Sequence, residues 1–341
     1  MREVRRFVLV LSALIFLCSC GPPPQGDGKI VILSYNVQNL FDAEHNGSEY
    51  EEFLPQNGWS ERTYHLRLEK LGEVIRKTSP PPDVVVLQEI ENENVLDDLC
   101  SIYLPEYRYA HRIAGGPRSS ATQVGLMTHL PLSRVHRHAP ARTDHPLRNI
   151  LEARLTLPEG ELLIIINHWK SRCGSSDEGA GLRVATSRLL RLRLDAICAD
   201  GRGRRVVIAG DFNCEPRRRT DSTEHPFVLD EECSSLLPVT ERLGAALSAG
   251  RGRRTSLFPL FSPWGVATEE GSYCYDGRWE RIDAFYLSPS LLGEEGLRFD
   301  SFRVHPWGEL RLGNGSPKRW ISEMESGFSD HLPIVLVLTD G

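Results

Sequence analysis

Val206-Val207-Ile208-Ala209-Gly210-Asp211-Phe212-Asn213 joins a short apolar run to a glycine-led acidic turn. The run reads as a buried strand, and the Asp and Asn behind it fall at the strand's end. The same arrangement recurs along the chain. A strand expected over Lys29 to Tyr35 leads into Asn36-Val37-Gln38-Asn39-Leu40-Phe41-Asp42. Val84-Val85-Val86-Leu87, continuous enough for a strand buried on both faces, leads into Gln88-Glu89-Ile90-Glu91-Asn92. Ile164-Ile165-Ile166 leads into Asn167-His168-Trp169-Lys170-Ser171-Arg172. Arg281-Ile282-Asp283 lies in a late strand, and Ser329-Asp330-His331 precedes the last one.

Between these points the pattern alternates. Further strands are expected at Gln123 to Thr128 and Ile150 to Leu157. Ser60 opens a helix whose Leu68, Leu71, Val74 and Ile75 share one face, and Pro80-Pro81-Pro82 stops it. A second helix is expected between Leu182 and Ile197. Eight or more strands with about three helices, and no break in composition, indicate one α/β domain built on packed sheets. Cys214 to Tyr273 is polar, Arg-rich and weakly patterned, as an elaborated loop would be.

Six strand boundaries that carry a carboxylate, amide or imidazole are how a rigid sheet assembles a site. Together they supply oxygen ligands for a hard divalent cation, two imidazoles for proton transfer and amide donors for an anion. That inventory suits hydrolysis of a phosphate ester.

On these residues the chain resembles the endonuclease/exonuclease/phosphatase superfamily, whose members include DNase I, exonuclease III and the inositol polyphosphate 5-phosphatases. Gly210 to Asn213 together with Ser329-Asp330-His331-Leu332-Pro333 is the most specific pairing. Asn36 to Asp42, Gln88 to Asn92, Asn167 to Arg172 and Gly271 to Ser288 are similar to a set of bacterial exported members. The resemblance covers about residues 29–339 and implies an α/β fold: a DNase I-like, four-layered α/β/β/α sandwich of two mixed sheets. It further implies Mg²⁺, with Mn²⁺ or Ca²⁺ as substitutes, held by Glu89 with help from Asn36 and Asp330. His331, oriented by Asp283, is expected as general base, and His168 as a donor to the phosphate or leaving oxygen. Asp211 is expected to orient water or leaving group, and Asn213 to donate to phosphoryl oxygens. Asn36, Arg148, Lys170 and Arg172 are the candidate substrate contacts. Cys214 stands where close relatives often carry Asp.

The chain has 341 residues, 40% hydrophobic, with a formal net charge of -6. The apolar fraction rules out wholesale disorder, and the acidic balance argues against coating nucleic acid by charge alone. Arg2, Arg5 and Arg6 precede an apolar run, Phe7 to Leu17, too short to span a hydrocarbon core of roughly 30 Å. The run ends in Leu17-Cys18-Ser19-Cys20, resembling a bacterial lipobox. Residues 1–19 are therefore expected as a lipoprotein signal peptide, with Cys20 lipidated and residues 20–28 a Pro/Gly tether. Removal of the signal changes 40 basic against 46 acidic residues to 37 against 45, a net of -8. The product is expected to be exported and lipid-anchored to a bacterial membrane, facing the periplasm or the surface, and to act as a monomer.

Six cysteines remain, Cys100, Cys173, Cys198, Cys214, Cys233 and Cys274, and an exported compartment permits disulfides among them. Arginines cluster at 202–205, 217–219 and 251–254. The first cluster is expected at the sheet edge opposite Asp211, whereas the second is close enough to Asn213 to border a cleft. Three functions follow from this pattern: a nuclease for DNA or RNA, a phosphatase or phosphodiesterase for phospholipid headgroups or small phosphoesters, and a non-catalytic surface binding lipoprotein. Retention of Glu89, His168, Asp211 and His331 disfavours the last.

Overall fold

The computed structural model describes residues 28–116, 121–140, 147–172, 176–200, 203–214 and 260–341. Cys20 with the expected signal and tether, Arg202, the arginine clusters at 217–219 and 251–254, Cys173 and Cys233 lie outside the described residues.

The chain runs β1 (Lys29–Leu40), α1 (Glu61–Arg76), β2 (Val84–Ile90), α2 (Glu93–Asp98), β3 (His111–Ala114) and β4 (Gln123–Thr128). It continues β5 (Leu132–His138), β6 (Ile150–Leu157), β7 (Gly160–His168), α3 (Ser176–Ala199) and β8 (Arg205–Asp211). The last third adds β9 (Tyr273–Tyr275), β10 (Arg278–Glu280), β11 (Asp283–Leu287), β12 (Arg298–Val304) and β13 (Ile334–Thr339). Six strands form one sheet in the order β12-β13-β1-β2-β4-β3, and five form another, β11-β8-β7-β6-β5. Both are mixed: β1–β2 and β7–β8 are parallel, and the remaining pairs are antiparallel. β9 and β10 form a separate hairpin.

Each parallel pair needs a crossover, which α1 provides for β1–β2 and α3 for β7–β8. Ser60 caps α1 as expected, its Oγ accepting from Thr63 N at 3.2 Å. The helix buries Tyr64, Leu68, Leu71, Val74 and Ile75 against the first sheet. On the far side, α3 buries Leu190, Leu194 and Ile197. One contiguous apolar cluster joins both sheets and both helices. The result is the expected α/β sandwich of two mixed sheets with flanking helices.

The recognised strands are those with buried runs, including β11 at an edge of the five-stranded sheet, where every residue is buried. β3, β5, β9, β10 and β12 were not marked by the sequence pattern, for they are short or lie at sheet edges. β5, Leu-Ser-Arg-Val-His-Arg-His, has no buried residue. Such strands lack the apolar face on which periodicity depends. β1 is longer than expected because it continues through a register shift between Asn36 and Leu40.

Of the expected basic edge, Arg204 and Arg205 do lie at the start of β8, opposite Asp211. Arg204 pairs there with Glu161 at 3.0 Å, and Arg205 donates to Glu159 O at 2.8 Å. Cys100, Cys198 and Cys274 carry free thiols. Among the described residues no helix is long and apolar enough to cross a membrane.

The attachment of α3 to its sheet includes a buried carboxylate. Glu152 on β6 accepts from Arg193 Nε at 2.5 Å and Nη2 at 2.7 Å, and meets His138 Nε2 at 3.0 Å. Burial alone would raise its pKa, but His138 and Arg193 hold it at about 2. A depressed folded pKa stabilises above the unfolded value, and the contribution is lost as pH falls through the folded one. Glu152→Gln is therefore expected to lower stability by about 2–3 kcal/mol at pH 7. Denaturant titrations of variant and parent should converge between pH 4.5 and pH 2, and a gap that persists at about pH 2 would refute the assignment.

Candidate active site

Asp283 on β11 lies opposite Asp211 on β8, and Asp211 lies opposite His168 on β7. Three neighbouring strands thus end in an aligned carboxylate, carboxylate and imidazole. Gly210 permits this geometry. Its φ is +138°, and a Cβ there would stand 1.9 Å from Asn167 O, so only glycine lets the turn approach the adjacent strand. Trp169 N donates to Asp211 O and Phe212 N to Ile282 O, each at 2.9 Å, fixing the turn on both sides.

The facing sheet contributes Asn36 and Glu89. The Asn36 amide donates to Glu89 Oε1 at 3.2 Å and to Asp211 Oδ2 at 3.0 Å, so one nitrogen joins carboxylates from two sheets. Glu89 has φ +67°, and Gln38 and Asn39 beside it have φ +55° and +50°. Three non-glycine residues in the left-handed region cost roughly 1 kcal/mol or more each and persist only where surroundings enforce them. Asn39 N donates to Glu89 Oε2 at 2.9 Å. Buried Arg67 of α1 donates to Val37 O and Gln38 O, with its guanidinium 4.9 Å from the Trp320 ring centre. The Gln38 side chain closes the brace with hydrogen bonds to both Trp320 N and Trp320 O.

His331 enters from the loop before β13. Its Nδ1 meets Asp283 Oδ2 at 2.7 Å, and Ser272 Oγ donates to the same oxygen at 2.6 Å. Ser329 Oγ accepts from His331 N and donates to Asn36 O, at 3.1 and 2.7 Å. The Tyr273 ring covers the imidazole at a centroid separation of 4.7 Å.

Electrostatics separates the two histidines. For His331, burial would lower the pKa, but the Asp283 carboxylate and its hydrogen bond raise it well above the usual value. For His168, burial and then the positive Arg148, His331 and Lys170 push it well below. A neutral imidazole results, with Nε2 3.5 Å from Glu89 Oε1 and 3.7 Å from Asp211 Oδ2. The tautomer protonated at Nε2 fits those two acceptors. Burial and then Asp283 push Asp211 up to about 7, against the opposing pull of His331.

The expected residues therefore divide. Asn36, Glu89, His168, Asp211, Asp283 and His331 converge, with Asp330 Oδ1 3.9 Å from His331 Nε2. Asn213 (φ +50°) is buried in the turn and commits one amide hydrogen to Trp169 O at 3.1 Å. Arg148 is anchored to Thr122 Oγ1 at 2.9 Å, Lys170 is exposed, and Arg172 is held by Glu280. Arg67, Ser272 and Tyr273 were missed, and Ser329 was marked only as part of its motif, without a role. Arg67 left a signal, for it interrupts the apolar face of α1 between Tyr64 and Leu71.

Glu89, Asp211 and Asp283 surround a space into which His331 brings a buried imidazolium, with the buried Arg67 guanidinium a second positive charge acting on Glu89. Asp283 Oδ1 is buried with no hydrogen-bond partner among the described residues. An excess of buried oxygen charge is stabilised by a cation, and oxygen donors select a hard one. Donor atoms of Asp211, Asp283 and His331 lie within 4.8 Å of one another, so this trio is also capable of holding a metal. Both Glu89 oxygens already accept, from Asn36 and Asn39, and Asn36 Oδ1 accepts from Gln38 N at 3.0 Å, so the set that the resemblance implies, Glu89 with Asn36 and Asp330, would have to exchange some of these bonds to hold a metal.

Residues 31–340 match the profile of the Endonuclease/Exonuclease/phosphatase family. No curated protein sequence matches the chain. Among solved structures, an endonuclease/exonuclease/phosphatase family protein from Bacteroides thetaiotaomicron is similar, with TM-score 0.55, 14% identity, and coverage of 92% of this chain and 95% of that one. D. rerio TDP2 complexed with single strand DNA product has TM-score 0.51 and 18% identity over 92% of this chain and 100% of that one. The human Nocturnin catalytic domain with bound sulfate anion has TM-score 0.52 and 16% identity over 92% and 95%.

The Asp283–His331 pair can be read directly. Histidine ring NMR is expected to show His331 protonated throughout the neutral range, and Asp283→Asn to bring its titration down by at least one pH unit, the scale of losing a buried counter-charge. An unchanged titration in the variant would remove Asp283 as its cause.

Proposed function

The chain belongs to the endonuclease/exonuclease/phosphatase family, and from that premise we propose a Mg²⁺-dependent nuclease that hydrolyses phosphodiester bonds of DNA or RNA by in-line attack of water. The observation that carries this reading is the alignment of His168, Asp211 and Asp283 on adjacent strand ends, closed by Asn36, Glu89 and His331. The single strand DNA product in D. rerio TDP2 and the sulfate in Nocturnin support a phosphodiester ligand in a fold of this kind.

Glu89, with Asn36 and Asp330, would hold the Mg²⁺. When bound, such an ion neutralises phosphoryl charge and orients the ester. Asp211 takes the proton of the attacking water, its Oδ1 held by Asn213 N at 2.8 Å. The base role expected of His331 moves to Asp211 in this reading. With Nδ1 bonded to Asp283, His331 presents Nε2 as a donor to a phosphoryl oxygen, where charge grows in the transition state. Neutral His168 donates from Nε2. Arg148 and Lys170 favour approach of a polyanion.

The same proposal includes export, with Cys20 as the lipid-bearing first residue of the mature chain. Its support is the basic head, the short apolar run and the cysteine that ends it. Two acyl chains or more would hold the enzyme stably at a membrane.

Plasmid, single-stranded DNA and RNA are the substrates to test with Mg²⁺ and with EDTA. Cleavage is expected with Mg²⁺ alone, and Glu89→Gln and His331→Ala are expected to reduce kcat by about 10²–10⁴. Turnover of sphingomyelin or phosphoinositides with all three nucleic acids untouched would overturn the nuclease reading. Independently, radiolabelled fatty acid should enter the protein in a bacterial host and be lost in Cys20→Ser. Equal labelling of the variant would refute lipidation at Cys20.

A further inference from the structure

The β9–β10 hairpin extends beyond the groups assigned so far. Tyr273 on β9 covers His331, and its cross-strand neighbour Glu280 holds Arg172 at the exit of β7. The face of the hairpin that carries this pair is thus turned to the site. Side chains two apart along a strand share a face, as do those directly opposite on an antiparallel partner. The next pair outward on that face is Tyr275 and Arg278. Tyr275 is 70% exposed and Arg278 is exposed, and neither side chain makes a hydrogen bond or ion pair among the described residues.

The turn between them is Asp276-Gly277, with φ +49° and +74°. Both central residues are left-handed, as a two-residue hairpin turn matched to strand twist requires. An exposed aromatic ring and a guanidinium are therefore held side by side on a short, regular scaffold, about 7 Å along the strand from the ring that covers His331. Tyrosine contributes a flat apolar face, and arginine a fork that matches phosphate oxygens. A strand of nucleic acid offers that combination, a base next to a phosphate, one nucleotide away from the phosphate under attack.

We propose that Tyr275 and Arg278 form a substrate subsite in which the ring stacks on the base adjoining the scissile phosphate and the guanidinium pairs with the neighbouring phosphate. The subsite rests on the nuclease reading above. A lipid surface fits less well, since Asp276 is exposed at the hairpin tip and a carboxylate there opposes entry into an apolar phase.

The test uses the purified protein, Mg²⁺ and end-labelled single-stranded oligonucleotides, intact or with one abasic residue placed at each position in turn around the cleavage point. Tyr275→Ala is expected to raise KM about tenfold with a much smaller change in kcat, the scale of base–aromatic stacking. Tyr275→Phe, which retains the ring, should restore KM, and Arg278→Gln should raise KM with a weaker salt dependence. On the oligonucleotide lacking the stacked base, Tyr275→Ala and the parent should become equal. If the parent cleaves and Tyr275→Ala leaves KM unchanged, the subsite is refuted while the nuclease reading stands. If the parent cleaves plasmid or RNA but no single-stranded oligonucleotide, the subsite is refuted and the nuclease reading stands; if it cleaves none of the three, both fall. Tyr275-dependent binding to sphingomyelin–phosphatidylcholine vesicles, with no effect on oligonucleotides, would assign the tip to lipid and overturn the subsite.

Discussion

One amide nitrogen, Asn36 Nδ2, lies between the carboxylates of Glu89 and Asp211 and binds both. Glu89 belongs to the six-stranded sheet and Asp211 to the five-stranded one, so this contact registers one sheet against the other at the catalytic end. Two carboxylates so close repel each other unless donors lie between them. The rest of the site is arranged around that constraint. Ser329 ties the Asn36 backbone to the loop that carries His331, and His331 in turn ties to Asp283, two strand positions across from His168. A one-residue slip of β2 or β8 within its own sheet would turn its side chains to the opposite face and disconnect Glu89 or Asp211 from this contact.

Holding Glu89 there requires backbone that most residues avoid. The left-handed Gln38, Asn39 and Glu89 are stabilised by Arg67 from α1 and by Trp320 from the loop before β13. The structural core therefore reaches into the site, for a buried arginine within the apolar face of a helix sets the backbone on which Glu89, the proposed metal ligand, stands. Charge is divided in the same manner. Acidic groups are gathered inside, one imidazole is kept charged by Asp283, and the other is kept neutral by burial and nearby cations. Arg148 and Lys170 stand outside them. A chain with a net charge of -6 can in this way present a cleft that accepts an anion.

How much was legible from sequence follows from where each feature resides. Central strands announced themselves because β2, β7 and β8 carry continuous buried runs, and helices because α1 has a cap and a periodic face. β5, with no buried residue, and the three-residue strands of the hairpin carry no such pattern. Site residues at the ends of central strands were legible for the same reason, since a carboxylate directly after a buried run is conspicuous. The roles of Ser272, Ser329 and Tyr273 were not, because a serine in a loop or a tyrosine in a three-residue strand is ordinary until its partner is known. The hairpin subsite was invisible as well. Its meaning depends on Tyr273 covering His331, a contact between residues 58 positions apart in the chain.

By itself the sequence determined that this is an α/β chain with polar groups at the ends of buried strands, and that those groups suit phosphoester chemistry. Periodicity and local composition are short-range properties, written within a few residues of each strand end. Only the tertiary structure decided that Asp283, Asp211 and His168 stand side by side, that Asp283 charges His331, and that His168 is neutral. Proximity and burial set those protonation states, and both arise from segments brought together across more than a hundred residues of chain.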